Sequence, residues 1–198
     1  MSPARIVLAS ASPRRKELLA RAGVDFEIEI SDVDESLDPG SDPRLAAVEL
    51  AERKARAVAG AHVGAAVRVL GADTVVCLGG AEGSTLLGKP ADEAEARSML
   101  GRLSGSRHRV VTGVAVIRCS DGTLWSAAEC TWVTMRALDP AEIDVYVASG
   151  EWRDKAGGYA IQESADAFVT GLEEGGFDNV VGLPVGLALD LLSQADLE

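Results

Sequence analysis

Apolar and polar positions along the first half of the chain form patterns that predict strands separated by helices. Residues 6–9 form a short apolar run typical of a buried strand, and the nearly continuous apolar run over 67–78 predicts a second one. Phe26, Ile28 and Ile30 alternate with two glutamates, which predicts a strand with one face in water. We therefore expect strands to precede and follow the helical segments of this half.

Capping signals place helices around these strands. Ser12 before Pro13 predicts a helix start, because a serine side chain caps the first turn and proline suits the first helical position. Asp92 with Glu95 forms a capping-box pattern for a helix that ends near Gly105. Further helices are predicted over about 43–60, from Asp139, and over 185–192 after Pro184.

The second half of the chain is rich in strands. Residues 109–118 and 123–136 are two long apolar segments joined at Asp121-Gly122, which is a strong hairpin signal, and residues 150–163 form a glycine-rich loop. Strand–helix alternation followed by an antiparallel pair predicts an α/β fold with a mixed central sheet flanked by helices. With 47% hydrophobic content, the chain can bury one substantial core, so a single domain over 1–198 is expected.

Composition and net charge narrow the possible binding partners and the cellular location of the protein. The net charge of −12 argues against a nucleic-acid surface, which needs a basic face. The N-terminal residues lack the pattern of a secretion leader, and no apolar run approaches the roughly 20 residues of a membrane span. Cys77, Cys119 and Cys130 are widely spaced in apolar segments, as expected of reduced core residues. We expect a cytoplasmic protein that binds neither membrane nor nucleic acid.

Three cations stand at the start of the first predicted helix. Arg14, Arg15 and Lys16 follow Ser12-Pro13, where the helix dipole disfavours positive charge. An anion bound there would stabilise this turn, and phosphate suits both the backbone N–H groups and an arginine fork. The alternative is that all three are solvated surface cations. In a chain of this negative charge, an anion would need a local basic cluster, with a metal ion neutralising part of its charge.

Two charged residues interrupt apolar segments. Lys54 falls in the apolar stripe of the second helix, either with its ammonium extended into water or with its charge in a ligand cleft. Asp73 lies inside the apolar run over 67–78, where a carboxylate is costly unless it is paired, bound to metal or active in proton transfer. An Asx turn at a strand end is the alternative for Asp73.

Acidic residues that could bind a divalent ion cluster in the loop after residue 30. The loop contains Asp32, Asp34, Glu35 and Asp38. Magnesium usually takes one or two protein carboxylates and completes its shell with water and phosphate oxygens, so Glu35 with Asp73 would be enough. An acidic loop that is simply solvated is the alternative.

These features occur together in one known family. The chain resembles the Maf nucleotide pyrophosphatases from about residue 5 to residue 192, through eight motifs in order. They are Ser10-x-Ser12-Pro13-Arg14-Arg15, Glu35, Lys54, Gly71-Ala72-Asp73-Thr74, Gly88-Lys89-Pro90, His108-x-Val110-x-Thr112-Gly113, Lys155-Ala156-Gly157-Gly158-Tyr159-Ala160-Ile161-Gln162 and Asn179-Val180-Val181-Gly182-Leu183-Pro184.

The resemblance implies hydrolysis of a nucleoside triphosphate to the monophosphate and pyrophosphate with a divalent metal, Mg²⁺ or Mn²⁺. It implies an elongated, two-lobed α/β fold shared with inosine-triphosphate pyrophosphatases, a cleft between the lobes, and often a homodimer. Asp73 corresponds to the family's catalytic acidic residue, which acts as a base toward water or as a metal ligand, and Glu35 belongs to the family's active-site polar set. The residues implied to bind substrate are Ser10, Arg14, Arg15, Lys54, Thr74, Lys89 and Gln162.

The string that ends in Gln162 resembles the branch acting on dTTP and UTP, and the Gln162 amide suits the O4 and N3–H edge of uracil or thymine. Glu163 departs from the family pattern, which usually has glycine there. Two alternatives stay open. One is a nucleotide-responsive binding protein in division-septum control with little turnover, and the other is the same hydrolysis of 7-methyl-GTP.

Overall fold

The computed structural model describes residues 5–37, 40–80 and 83–196. Asp38 of the acidic loop lies outside these ranges. The strands are β1 (Arg5–Leu8), β2 (Glu27–Ile28), β3 (Val67–Gly80), β4 (Gly83–Leu87), β5 (Arg107–Arg118), β6 (Thr123–Met135) and β7 (Val169–Glu173). The helices are α1 (Pro13–Arg21), α2 (Pro43–Ala59), α3 (Glu93–Leu103), α4 (Pro140–Ser149), α5 (Phe177–Val181) and α6 (Val185–Gln194).

The strands form one mixed sheet in the order β2-β1-β3-β5-β6-β7, with β4 paired to β3. β1 runs parallel to β2 and β3, whereas β3, β5, β6 and β7 are successively antiparallel and β4 is antiparallel to β3. The predicted α/β class with a mixed sheet is therefore confirmed, as is the hairpin at Asp121-Gly122. The elongated two-lobed shape stays a prediction.

The long strand β3 changes partners along one edge. β1 pairs with its residues 67–70 and β4 with its residues 76–80, while β5 covers the other edge over 68–77. Among the described strands, none pairs with residues 71–75 on the first edge. A break of this kind opens a crevice at the carboxyl end of β1, where open α/β sheets commonly bind ligands.

Helix α2 packs unusually close to the sheet at two glycines. A Cβ built on Gly71 would lie 2.4 Å from the carbonyl oxygen of Ala51, and one on Gly113 would lie 2.2 Å from that of Ala47. Gly113 is the register partner of Asp73 across β3 and β5. The absence of side chains at these two positions lets α2 rest on the strands beside Asp73.

Helix caps follow the predicted pattern except at α3, where Asp92 caps the helix but the Glu95 carboxylate accepts from the N–H of Ala91 instead of Asp92. Ser12 caps α1 with Pro13 in its first turn, and Asp139 forms a complete capping box with Glu142 at the start of α4. The predicted bounds of α2 and of the final helix agree with the structure to within about two residues. The three cysteines are buried and unpaired, as predicted.

The prediction for the region around residues 26–30 is wrong in part. Only Glu27–Ile28 form a strand, and Ile28 and Ile30 are 41% and 70% exposed rather than buried on one face. Phe26 packs against the core cluster that contains Leu8 and Leu19, whereas Ile28 and Ile30 belong to no core cluster of the described residues, so the alternation predicted too long a strand. β7 and the short helix α5 have no counterpart in the predicted elements. In the described ranges, no helix is long and apolar enough to cross a membrane.

Candidate active site

A cavity of about 510 Å³ opens at the break in strand pairing along β3. Its walls come from the β1–α1 turn, the acidic loop, α2, β3, the segment before α3, and the glycine-rich loop. The structure brings all nine predicted site residues to this cavity. They are Ser10, Arg14, Arg15, Glu35, Lys54, Asp73, Thr74, Lys89 and Gln162.

The two arginines of the α1 turn have different surroundings. Arg15 is inside the protein, where its Nε donates to the Gly182 carbonyl oxygen at 2.7 Å and its Nη2 donates to Thr74 Oγ1 at 3.2 Å. Arg14 lines the cavity, and its side chain makes no hydrogen bond or ion pair with any described residue. Arg14 can therefore meet a ligand directly, whereas Arg15 holds the turn against the α5–α6 connection.

Burial lowers the pKa of Arg15, although the negative charge of Asp73 opposes this effect. The Arg15 Nη2 atom lies 3.9 Å from Asp73 Oδ1. Thr74 Oγ1 shares a hydrogen bond with Thr112 Oγ1 at 2.9 Å, so the hydroxyl beside Asp73 is also fixed by the protein. The floor of the cavity is a hydrogen-bonded network.

Lys54 reaches the cavity from α2. Its Nζ contacts Asp73 Oδ1 and lies 2.7 Å from Glu35 Oε1. Only 7% of the Lys54 side chain is exposed, so the alternative with the ammonium in water is wrong. Asp73 lies in the middle of β3 and its side chain is 8% exposed, which excludes the Asx turn at a strand end.

Glu35 joins the acidic loop to this cluster. Its carboxylate accepts from Lys54 and from Lys89, and its side chain is about one-third exposed. Burial raises the pKa of Glu35, but the hydrogen bonds and charges of Lys54 and Lys89 lower it more, to about 2. Glu35 is therefore ionised throughout the physiological pH range.

The glycine-rich loop closes the other side of the cavity. Gln162 stands exposed on this side, and the loop is tied to β5 by a hydrogen bond of 2.7 Å between Tyr159 Oη and His108 Nε2. Burial lowers the pKa of His108 to about 4, so His108 is neutral at physiological pH.

Charged residues that sequence reasoning did not assign also line the cavity. Arg153, Asp154 and Lys155 all contribute to the wall. Asp154 has a φ of 60°, a conformation that aspartate tolerates better than most residues. The run of three charges directly before Ala156-Gly157-Gly158 was the available signal in the sequence.

The donors suit a divalent ion that is completed by a ligand. Glu35 and Asp73 contact the same ammonium, so their carboxylates are neighbours. Two carboxylates with phosphate oxygens and water match the preference of Mg²⁺. Among the described residues, no group of three or more histidine, cysteine, aspartate or glutamate side chains forms a closed metal site. Asp34 accepts hydrogen bonds within its own loop, from Ser36.

The fold and the cavity together define a class, an α/β protein whose mixed sheet opens onto a cleft lined by basic side chains and a buried aspartate. The sequence profile of the family described as Maf-like protein matches residues 5–195. The chain therefore belongs to the Maf family.

Curated relatives cover nearly the whole chain. A dTTP/UTP pyrophosphatase of Deinococcus radiodurans is 49% identical over 191 residues, which cover 96% of this chain and 93% of that protein. The dTTP/UTP pyrophosphatase of Pelotomaculum thermopropionicum is 48% identical, covering 96% and 95%. The dTTP/UTP pyrophosphatase of Anaeromyxobacter dehalogenans is 48% identical, over 98% of this chain and 95% of that protein.

Proposed function

We propose that this protein hydrolyses dTTP and UTP to the nucleoside monophosphate and pyrophosphate. The observation that carries the proposal is the convergence of Arg14, Lys54 and Lys89 on one cavity around Asp73. A triphosphate supplies the negative charge that this cluster can bind, and relatives of nearly equal length with about half of their residues identical are dTTP/UTP pyrophosphatases.

The basic side chains bind and orient the triphosphate. Of Arg14, Lys54 and Lys89, Arg14 is the one whose side chain has no hydrogen-bonded partner among the described residues, so it can offer its full guanidinium fork to phosphate oxygens. Lys54 and Lys89 are held by carboxylates and add positive charge beside the departing pyrophosphate, where negative charge accumulates. A bound Mg²⁺ or Mn²⁺, held by Glu35 and Asp73, would supply Lewis-acid stabilisation of that charge.

Asp73 is proposed to act on the attacking water. Its ion pairs with Lys54 and Arg15 both use Oδ1. Oδ2 can then orient the water and accept its proton as the water oxygen bonds to the α-phosphorus and the bond to the pyrophosphate oxygen breaks.

The base is proposed to bind at the end of the cavity where Gln162 stands. The side-chain amide of Gln162 offers an N–H donor to O4 and a carbonyl acceptor to N3–H of uracil and thymine.

The domain boundaries, the homodimer, the cytoplasmic location and the absence of nucleic-acid binding stay predictions from the sequence.

The test is a panel of nucleoside triphosphates, including 7-methyl-GTP, with Mg²⁺ or Mn²⁺, in which pyrophosphate and monophosphate are measured. In ¹⁸O-labelled water, attack on the α-phosphorus places the label in UMP, whereas attack on the β-phosphorus places it in pyrophosphate. Tight nucleotide binding without turnover would support the septum-control alternative. Preferred turnover of 7-methyl-GTP would contradict the pyrimidine assignment.

A further inference from the structure

Gln162 occupies the third position of a hydrogen-bonded turn. The backbone N–H of Glu163 donates to the carbonyl oxygen of Ala160 at 3.3 Å, closing a turn over residues 160–163. The turn places Gln162 at the cavity, while Ile161 beside it is buried. Whatever fixes Glu163 therefore also fixes the backbone from which Gln162 projects.

The Glu163 carboxylate is held by a buried lysine. Lys155 Nζ contacts Glu163 Oε2 and also donates to the backbone carbonyl oxygen of Glu151, and the Lys155 side chain is 6% exposed. A buried ammonium is costly without a charged partner, so the pair is strongly favoured over its separated state. One lysine thus joins the end of the glycine-rich loop to its beginning.

A second connection lies directly beside the first. The Glu151 carboxylate accepts from the backbone N–H of Ser164 at 3.1 Å and from its hydroxyl at 2.7 Å. Residues 163 and 164 are therefore both fastened to the start of the loop. Gln162 is the residue immediately before these two attachments.

The backbone accommodates a side chain at position 163 without strain. Glu163 has φ −120° and ψ −154°, an extended conformation open to any residue. Glu163 is not among the described residues that line the cavity. Its carboxylate contacts Lys155 instead, so Glu163 acts on a ligand through Lys155 and the loop that this lysine joins.

We propose that Glu163 is a positioning residue that, through Lys155, fixes the Gln162 amide and so sets the discrimination between uracil and cytosine. This inference rests on the proposed function. Uracil presents an acceptor at O4 and a donor at N3, whereas cytosine presents a donor at N4 and an acceptor at N3. A fixed glutamine amide matches one of these patterns, and a mobile one turns over to match either.

The experiment compares kcat/KM for UTP and CTP in the wild type and in Glu163→Gly, Glu163→Gln, Gln162→Ala and the Gln162→Ala/Glu163→Gly double variant. We expect Glu163→Gly to lower the UTP/CTP ratio about tenfold, through KM and with kcat for UTP little changed. In the Gln162→Ala background, Glu163→Gly should change the ratio no further, because its effect passes through Gln162. Glu163→Gln keeps the side-chain volume but removes the charge that Lys155 contacts, so it should also lower the UTP/CTP ratio.

A matched control is Glu173→Gln, which breaks the exposed ion pair with Arg107 away from the cavity, and the ratio should not change. A wild type that turns over no triphosphate would overturn the proposed function itself. A selective wild type whose ratio is unchanged in Glu163→Gly and Glu163→Gln would overturn this inference alone. An equal effect of Glu163→Gly with and without Gln162 would also overturn it.

Discussion

The ammonium of Lys54 contacts Oδ1 of Asp73, and both side chains are less than one-tenth exposed, at 7% and 8%. One residue comes from α2 and the other from β3, so their contact depends on how closely the helix approaches the sheet. The pair joins the fold to the proposed chemistry, because this contact compensates the charge of a buried lysine and fixes the carboxylate that is proposed to act on the attacking water.

Lys54→Met should lower the turnover of UTP about a hundredfold, since it removes a cation from the triphosphate site. Helix α2 should persist, because methionine keeps the buried stem. The measurements are kcat, KM and the circular dichroism spectrum. Arg56→Met is the matched control on the same helix, since it breaks only an exposed pair with Glu52 and should leave kinetics unchanged. Normal kinetics with a large loss of thermal stability would contradict a role for Lys54 in substrate binding.

Substitutions of the neighbouring Arg14 and Arg15 should have different effects, one on substrate binding and the other on stability. Arg14→Met should raise KM for UTP about tenfold with little change in unfolding free energy, because the Arg14 side chain has no hydrogen-bonded partner within the described residues. Arg15→Met should lower the unfolding free energy by about 3 kcal/mol, since the Gly182 carbonyl oxygen and Thr74 lose a charged donor. Urea denaturation and steady-state kinetics measure the two effects. Equal stability losses in both variants would show that this division of roles is incorrect.

His108 should make stability depend on pH. Burial lowers the pKa of His108 to about 4, from 6.5 for an ordinary histidine. Between these values the unfolded chain binds a proton that the folded chain does not, so unfolding free energy should fall as pH is lowered from 6.5 to about 4, by about 1.4 kcal/mol per pH unit at most.

The comparison for this prediction is His108→Gln, which keeps an acceptor for the Tyr159 hydroxyl and does not titrate. Denaturation curves at pH 4.5 and 7 should show a smaller pH-dependent loss in the variant than in the wild type. The same loss in both proteins would mean that other groups account for the acid sensitivity.

Gly113→Ala should test the close packing of α2. An added Cβ would lie 2.2 Å from the Ala47 carbonyl oxygen, so the helix must move off the sheet. We expect a loss of about 3 kcal/mol in unfolding free energy, measured by thermal or urea denaturation. Gly186→Ala is the control, because a Cβ there meets no atom within 4 Å. Comparable stability of the two variants would contradict the packing argument.

Local chemistry made much of the fold predictable from the sequence. The caps at Ser12 and Asp139 and the hairpin at Asp121-Gly122 depend on a few adjacent residues. The strand predicted through Phe26, Ile28 and Ile30 is limited to two residues and leaves both isoleucines exposed, because burial depends on what packs against a segment, which its own alternation does not specify. Similarly, β7 owes its pairing to β6, more than thirty residues earlier in the sequence.

The candidate site could be predicted because several of its residues depart from the hydrophobic pattern around them. Lys54 and Asp73 stood out because each is charged within an apolar pattern, and they meet in one cavity. Arg14 and Arg15 could not be told apart, because their different surroundings depend on Gly182, far away in the sequence. The attachment of Glu163 to Lys155 was equally hidden, since only the folded loop brings the two together.

Asp73→Asn tests the central claim most directly, through pyrophosphate release from UTP with Mg²⁺ or Mn²⁺. Asparagine keeps the shape of aspartate and removes its charge, while Glu35 still neutralises Lys54, so the circular dichroism spectrum should match that of the wild type. We predict that turnover falls about a thousandfold or more. Turnover by Asp73→Asn equal to that of the wild type would contradict the assignment of Asp73 as the catalytic carboxylate of this cavity.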